Sequence, residues 1–229
     1  MTDTTDIYKN HANHYDQLVT AEDHKGHLKK LLMESIDWKD KLIYEAGIGT
    51  GRVTKLYIDQ VRYTYGFDRE SHMLEQCQNN LINYKDKLSL KQGDNLNLKK
   101  TDEPADIFIE GWSFGHPIME NPDRLKEVFQ SIYLSLKQII KPDGTLVLIE
   151  TYGTHVNQPS IPYPILASFY KLLEEEYGFQ RHIISTDYQF DSVEEAARIT
   201  GFFFGQGMAD DILARQQTQV KEFTGVWIK

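Results

Sequence analysis

Residues 41–52 read KLIYEAGIGTGR, an apolar run that ends in Glu45 and is followed by Gly47, Gly49 and Gly51 at alternate positions. A carboxylate beside such a turn sets an acceptor for a cation next to a backbone that a ligand can approach closely. Other apolar runs also stop at acids: Asp68 in VRYTYGFD, Asp94 in LSLKQGD, Glu110 in ADIFIE and Glu150 in GTLVLIE. Acids also cap helices and oppose their dipoles, so each of these has a plain structural alternative. The dinucleotide fingerprint GxGxxG needs a glycine where this chain has Arg52, and no GxxxxGK[ST] phosphate loop occurs. A pyrophosphate ligand is disfavoured, and an NAD(P)-dependent oxidoreductase with it. S-adenosylmethionine, with an ammonium, a sulfonium, a carboxylate and an adenosine, matches the residues better. Glu45 would pair through water with the ammonium. Gly47 and Gly49 would let the backbone approach, and N–H groups near Gly51 would meet the carboxylate. Asp68 would accept from the ribose hydroxyls and Asp94 from the adenine amino group, with Asn95 beside it. Met73 would pack on the adenine face or serve as plain core.

These residues need elements to place them. The runs Val61–Asp68, 88–94, 105–110 and 144–150 read as strands after the first one, and apolar stripes at helical spacing fall between most of them. Leu125, Val128, Phe129, Ile132, Leu136, Ile139 and Ile140 make the longest stripe, and KPDG at 141–144 reads as a turn that stops it. Strands alternating with amphipathic helices imply a parallel sheet covered on both faces, with ligands outside the carboxyl ends of its strands. Residues 7–35 read as helical. The proline-containing connection after strand five, continuing into a helix around Phe169, is long for a plain link and reads as a lid. A strand over 181–190, a helix capped by Ser192 and a strand over 222–229 close the chain.

The motifs EAGIGTG, GFDRESHML, QGDNLNL, DIFIEGWSFGH and KPDGTLVLIE resemble, in order and near spacing, the class I S-adenosylmethionine-dependent methyltransferases, most nearly the small-molecule type with an N-terminal helical cap. The resemblance covers residues 8–151 clearly and the rest loosely. One departure is Glu70, two residues after the ribose acid, where many relatives have Ser; here Ser71 follows. The resemblance implies an α/β, Rossmann-like fold with a seven-stranded, mostly parallel sheet of order 3-2-1-4-5-7-6 and strand seven antiparallel. It would form one domain over 1–229: a helical cap at 1–38, a cofactor-binding core at 40–151, a lid at 152–190, and a C-terminal helix and strand at 191–229. Tyr8 and Tyr15 resemble the aromatic residues that close over cofactor in relatives, Tyr15 followed by Asp16 being the more familiar pattern.

Methyl transfer is an in-line displacement, so the protein must hold the acceptor in line with the methyl group and exclude water. The acceptor side is expected in EGWSFGH and ETYGTH. Trp112, Phe114 and Tyr152 would be walls whose faces also suit a sulfonium, Trp112 counting with the cofactor's contacts; His116 and His155 would be candidate bases, and Glu110 and Glu150 groups that orient an amine or the cofactor's ammonium or simply cap helices. His11/His14 and His24/His27 lie at helical spacing without a thiol nearby, and no metal site is read there. A net charge of −9 argues against a broad nucleic-acid or anionic-membrane surface. The single cysteine, Cys77, excludes an intrachain disulfide, and the first ten residues lack an apolar signal core, so a cytoplasmic location is expected. No run reaches the roughly 20 apolar residues of a membrane span. The expected function is methyl transfer to a small molecule. The alternatives are a non-catalytic cofactor-binding protein of the same fold, and a methyltransferase for RNA or protein. Nothing in the sequence specifies the oligomeric state.

Overall fold

The computed structural model describes residues 11–229; Tyr8 and the start of the expected cap lie outside them. The strands are β1 (Leu42–Ala46), β2 (Tyr63–Asp68), β3 (Leu88–Gln92), β4 (Ala105–Gly111), β5 (Ile140–Thr154), β6 (Gln180–Ser185), β7 (Tyr188–Gln189), β8 (Gln219–Val220) and β9 (Glu222–Ile228). Seven form one sheet of order β3-β2-β1-β4-β5-β9-β6, while β7 and β8 pair apart as a short ribbon. β1 runs parallel to β2 and β4, and β9 runs antiparallel to β5 and β6, so the strand that completes the sheet is reversed, as expected. The helices are α1 (Ala12–Ala21), α2 (His27–Ser35), α3 (Thr54–Tyr57), α4 (Ser71–Asn80), α5 (Gly115–Glu120), α6 (Leu125–Leu136), α7 (Pro164–Glu175), α8 (Val193–Phe204) and α9 (Gln206–Arg215). Among the described residues no helix is long and apolar enough to cross a membrane.

Side chains alternate across a strand, and the central strands are apolar at both parities because both faces are covered. Ile43, Ile107, Ile109, Val147, Ile149 and Val226 point to the face that α2 covers with Leu28 and Leu32, where Trp38 stacks on Tyr57 at 4.6 Å. Tyr44, Phe108, Leu146 and Leu148 point to the other face, under Phe129 and Ile132 of α6 and Phe169 and Leu173 of α7. Each such side chain, removed from water, stabilises the fold by about 1.5–3 kcal/mol.

The structure changes three sequence expectations. First, α6 ends at Leu136, and KPDG belongs to β5. Ile140 pairs with Ala105 while Thr145 pairs with Ile107, so the extra residues bulge out of the strand instead of ending a helix. Lys141 at the bulge bonds Asp106 at 2.5 Å. Second, 152–190 is a crossover of the main sheet: it holds the end of β5, α7 against the core, and β6. Third, the insertion over the sheet's edge comes one strand later. Between β6 and β9 lie β7, two helices in place of the expected one, and β8; α8 and α9 meet at Gly205, whose φ of +97° few side chains tolerate. Ser192 caps α8 as expected, accepting from the Glu195 N–H at 3.1 Å. Leu18 of α1 shares a core with Tyr188, Ala197, Ile199 and Ile212 of this insertion. The cap is therefore built from both ends of the chain.

Phe129, 1% exposed and edge-on to Phe169 at 5.2 Å, anchors α6 to α7. Phe129→Ala is expected to cost about 3–5 kcal/mol in chemical unfolding; a loss below about 1 kcal/mol would contradict the packing described.

Candidate functional site

A pocket opens at the carboxyl edge of the sheet, where β1, β2, β3 and β4 end side by side. Gly47 and Gly49 line it from the loop after β1, Asp68 from the end of β2 and Met73 from α4. Asp94 and Asn95 contribute from the loop after β3, Trp112 from the loop after β4, His116 from α5 and Tyr15 from α1. Nine residues expected at the site thus meet in one cleft.

Asp68 organises the floor. Its Oδ2 accepts from the Gly49 N–H at 2.9 Å and its Oδ1 from the Glu70 N–H at 2.9 Å. Each carboxylate oxygen has a second lone pair, so the group can hold both turns and still accept from a ligand. Burial pushes its pKa up, and the two backbone donors oppose that shift.

The three glycines of the first loop have three separate causes. A Cβ on Gly47 would lie 2.4 Å from the Ser113 Cβ, so this glycine admits the loop after β4. A Cβ on Gly51 would meet the Cys77 Sγ at 2.9 Å, so Gly51 lets α4 pack and is not among the pocket residues. Gly49, at φ +56°, would find only the Met73 Cε at 3.7 Å and the Tyr15 Cε1 at 3.8 Å. Of the three, it is the glycine whose missing side chain leaves space between pocket walls.

Four further expectations move away from the pocket. Glu45 is 1% exposed and accepts from Thr54 Oγ1 at 2.7 Å and from the Tyr57 hydroxyl. It shares the parity of Ile43, so its side chain lies under α3 and cannot reach a ligand's ammonium. Burial raises its pKa to about 7. Glu110 is spent on the next turn: its Oε2 accepts from Ser113 N at 3.0 Å, Ser113 Oγ at 2.8 Å and Phe114 N at 3.2 Å, and its Oε1 from Ile149 N at 3.3 Å. Glu150 accepts from the Gly115 N–H at 2.6 Å, at the first residue of α5. Both acids are held above the usual carboxylate range, by burial first and, for Glu150, also by the charge of its neighbour. His155 bonds Asp211 at 2.6 Å and so ties the end of β5 to α9.

The pocket also contains residues the sequence reading passed over. Arg69, Glu70, Ser113 and Glu120 line it, and each follows a strand end or lies on the short helix after one. Their signal was position: they stand within reach of strand ends already singled out. Trp112 has φ +52°, with its N–H donating to Ile149 O at 2.6 Å, and its ring faces the Arg52 guanidinium at 4.1 Å. Tyr15 meets Phe203 of α8 at 6.1 Å, so the cap reaches the pocket's mouth. Burial lowers the His116 pKa, which leaves a neutral imidazole at neutral pH.

Residues 43–144 match the family described as Methyltransferase domain. A demethylmenaquinone methyltransferase of Lactobacillus johnsonii is 27% identical over 207 residues, 83% of this chain and 79% of that protein. An uncharacterised methyltransferase of Oceanobacillus iheyensis is 23% identical over 64% of this chain and 66% of its own length. Among solved structures, the YcgJ protein of Bacillus subtilis aligns with TM-score 0.60 at 14% identity, over 88% of this chain and 96% of that one. A structure described as a DhpI-SAM-HEP complex aligns with TM-score 0.60 at 12% identity, over 99% and 95%. Likeness at these identities concerns the fold.

The raised Glu45 pKa sets a pH dependence. The unfolded side chain ionises near its ordinary 4.5 and the folded one near 7. Between these values the folded state holds a proton that the unfolded state has lost, so stability falls as pH rises through this window and levels off above it. Melting temperatures measured from about pH 5 to pH 8 are expected to decline in the native protein and to decline less in Glu45→Gln; an equal slope in both would show that Glu45 stays ionised in the fold.

Proposed function

Residues 43–144 are a class I S-adenosylmethionine-dependent methyltransferase domain, and from that premise we propose that the described cleft holds the cofactor and that the chain works as one unit to methylate a small molecule. The observation that carries this is Asp68, an acid at the end of β2 that keeps acceptor capacity after binding two backbone N–H groups. That capacity suits a ribose diol. Met73 and Tyr15 flank the space above Gly49, and Asp94 and Asn95 stand across the cleft for the adenine. The donor set suits a nucleoside carrying a cationic sulfonium: acceptors for hydroxyl and amino groups, an aromatic wall, and four acids against the single cation Arg69 among the lining residues.

S-adenosylmethionine supplies an electrophilic methyl group. The chain's own residues orient, enclose and manage protons. Trp112 and His116 stand on the side of the cleft toward β4 and α5, the side read as the acceptor's. A neutral His116 imidazole suits a base that takes a proton from an acceptor hydroxyl or ammonium. Tyr15, carried by α1 and backed by Phe203, closes the mouth and excludes water. A small-molecule acceptor is favoured by the acidic rim of Asp68, Glu70, Asp94 and Glu120, which would repel a nucleic-acid backbone, and by the named activity of the Lactobacillus relative. The buried free thiol of Cys77 is in keeping with a cytoplasmic location.

Calorimetric titration with S-adenosylmethionine and S-adenosylhomocysteine tests this reading. The native protein should bind both. Asp68→Ala should bind about 30-fold more weakly or worse, the equivalent of about 2 kcal/mol of charge-assisted hydrogen bonding. Binding that survives Asp68→Ala unchanged would place the cofactor elsewhere. Tyr15→Ala should weaken binding by several-fold, and unchanged affinity would remove α1 from the site.

A further inference from the structure

Beyond the Trp112 ring lies a second group of polar side chains, buried at the same edge of the sheet. Arg52 Nη1 bonds Glu22 Oε2 at 2.6 Å, and its guanidinium lies over the Trp112 ring at 4.1 Å. Glu222, at the start of β9, is 2% exposed, and its Oε1 accepts from Thr151 Oγ1 at 3.1 Å. Tyr188 is buried among them, close enough that Glu22, Glu222 and Arg52 all act on its hydroxyl. Glu22 likewise acts on Glu222, after burial, to raise its pKa, while Arg52 opposes the shift. Four remote segments therefore bring two acids, one base and a phenol into one space.

That space is incompletely satisfied. Glu22 Oε1, Glu222 Oε2 and Arg52 Nη2 are buried without a direct hydrogen-bond partner, with the Tyr188 hydroxyl acting on Glu22 and Thr154 on Glu222 from close by. Glu22 is 8% exposed, so two carboxylates each more than nine-tenths buried keep an unused oxygen. Buried polar atoms are almost always partnered, and leaving one without a partner costs about 1–3 kcal/mol. Three in one cluster mark a place shaped for something polar. With Glu22 matched by Arg52, burial and Glu22 push Glu222 toward its neutral form, and a cation or multiple donor entering beside it would favour its carboxylate. The remaining Arg52 donor asks for an acceptor oxygen on the same ligand. A surface groove on the side of α1 and α2 reaches Glu22 and Arg52, with Lys25, Lys29 and Lys55 balanced by Asp16 and Asp23 along it, and Glu222 lies behind that pair.

We propose that Glu22, Arg52 and Glu222 form an acceptor subsite that anchors a small amine carrying a hydrogen-bond-accepting oxygen. An amine donates to the two orphaned carboxylate oxygens, and its neighbouring oxygen accepts from Arg52 Nη2. The acceptor role rests on the reading of the adjacent cleft as the cofactor site, with Trp112 the shared wall; the amine binding does not.

The test titrates ethanolamine, glycine and tyramine, and ethylene glycol as the isostere of ethanolamine without the amine, with and without saturating S-adenosylhomocysteine. At least one amine should bind, and ethylene glycol should not. Glu222→Gln should weaken the bound amine by about tenfold or more, a loss typical of a buried charge-assisted bond, while its affinity for S-adenosylhomocysteine matches the native protein. Glu22→Gln serves as the second variant should Glu222→Gln not give a native circular dichroism spectrum and melt. Binding of none of the amines, equal binding of ethylene glycol, or amine affinity unchanged in the folded variants would overturn the proposal. Failure of the native protein to bind S-adenosylhomocysteine would strike the cofactor reading instead, and the titrations without it would still decide this one.

Discussion

Where a parallel strand stops, its chain leaves the ladder and the following N–H groups lose their partners. At this sheet's carboxyl edge those donors are met by side-chain carboxylates. Asp68 takes the N–H groups of Gly49 and Glu70, Glu110 those of Ser113 and Phe114, Glu150 that of Gly115, and Asp94 that of Leu96. The cleft is the space these bonds leave between turns. Its walls are fixed by electrostatics at the strand ends, and the apolar layers on either face fix the strands. Glu45, Glu110 and Glu150 are spent on the scaffold, whereas Asp68 and Asp94 each serve both a turn and the cleft.

This explains what was legible in the sequence. The acids and glycines marked the strand ends, and alternation of apolar runs with helical stripes fixed the sheet, so Asp68, Asp94, Gly49 and Trp112 fall where spacing placed them. Glu45 and Glu110 were misplaced because type and position along the chain do not say which way a side chain points. The parity of Glu45 with Ile43 held that information. Gly51 and Gly47 answer to Cys77 and Ser113, residues distant in sequence, which no local pattern reveals. The lid is expected at 152–190 because the prolines at 159–164 are a strong loop signal, whereas the insertion lies between β6 and β9, where the break at Gly205 sits inside a stretch that reads as one helix.

On the proposed reading, the two polar groups on either side of Trp112 divide the labour of the site. One is built by loops of the first four strands, the part of the chain that matches the methyltransferase family. The other draws Glu22 from the end of α1 and Glu222 from β9, both outside that match. A shared cofactor with differing acceptors calls for such a partition. The Trp112 backbone, held at positive φ by its bond to Ile149, joins the two halves.

The cap's composition also fixes when it can form. His14 stacks on Phe202 at 5.0 Å, and Gln17 bonds Arg198 across 181 residues of chain. Contacts of such separation carry a high closure entropy and come late in folding. On the ribosome, the sheet from β1 to β5 is complete before α8 has been made, and α1 waits for its partner until nearly the whole chain has emerged. The cleft's floor therefore exists before its roof.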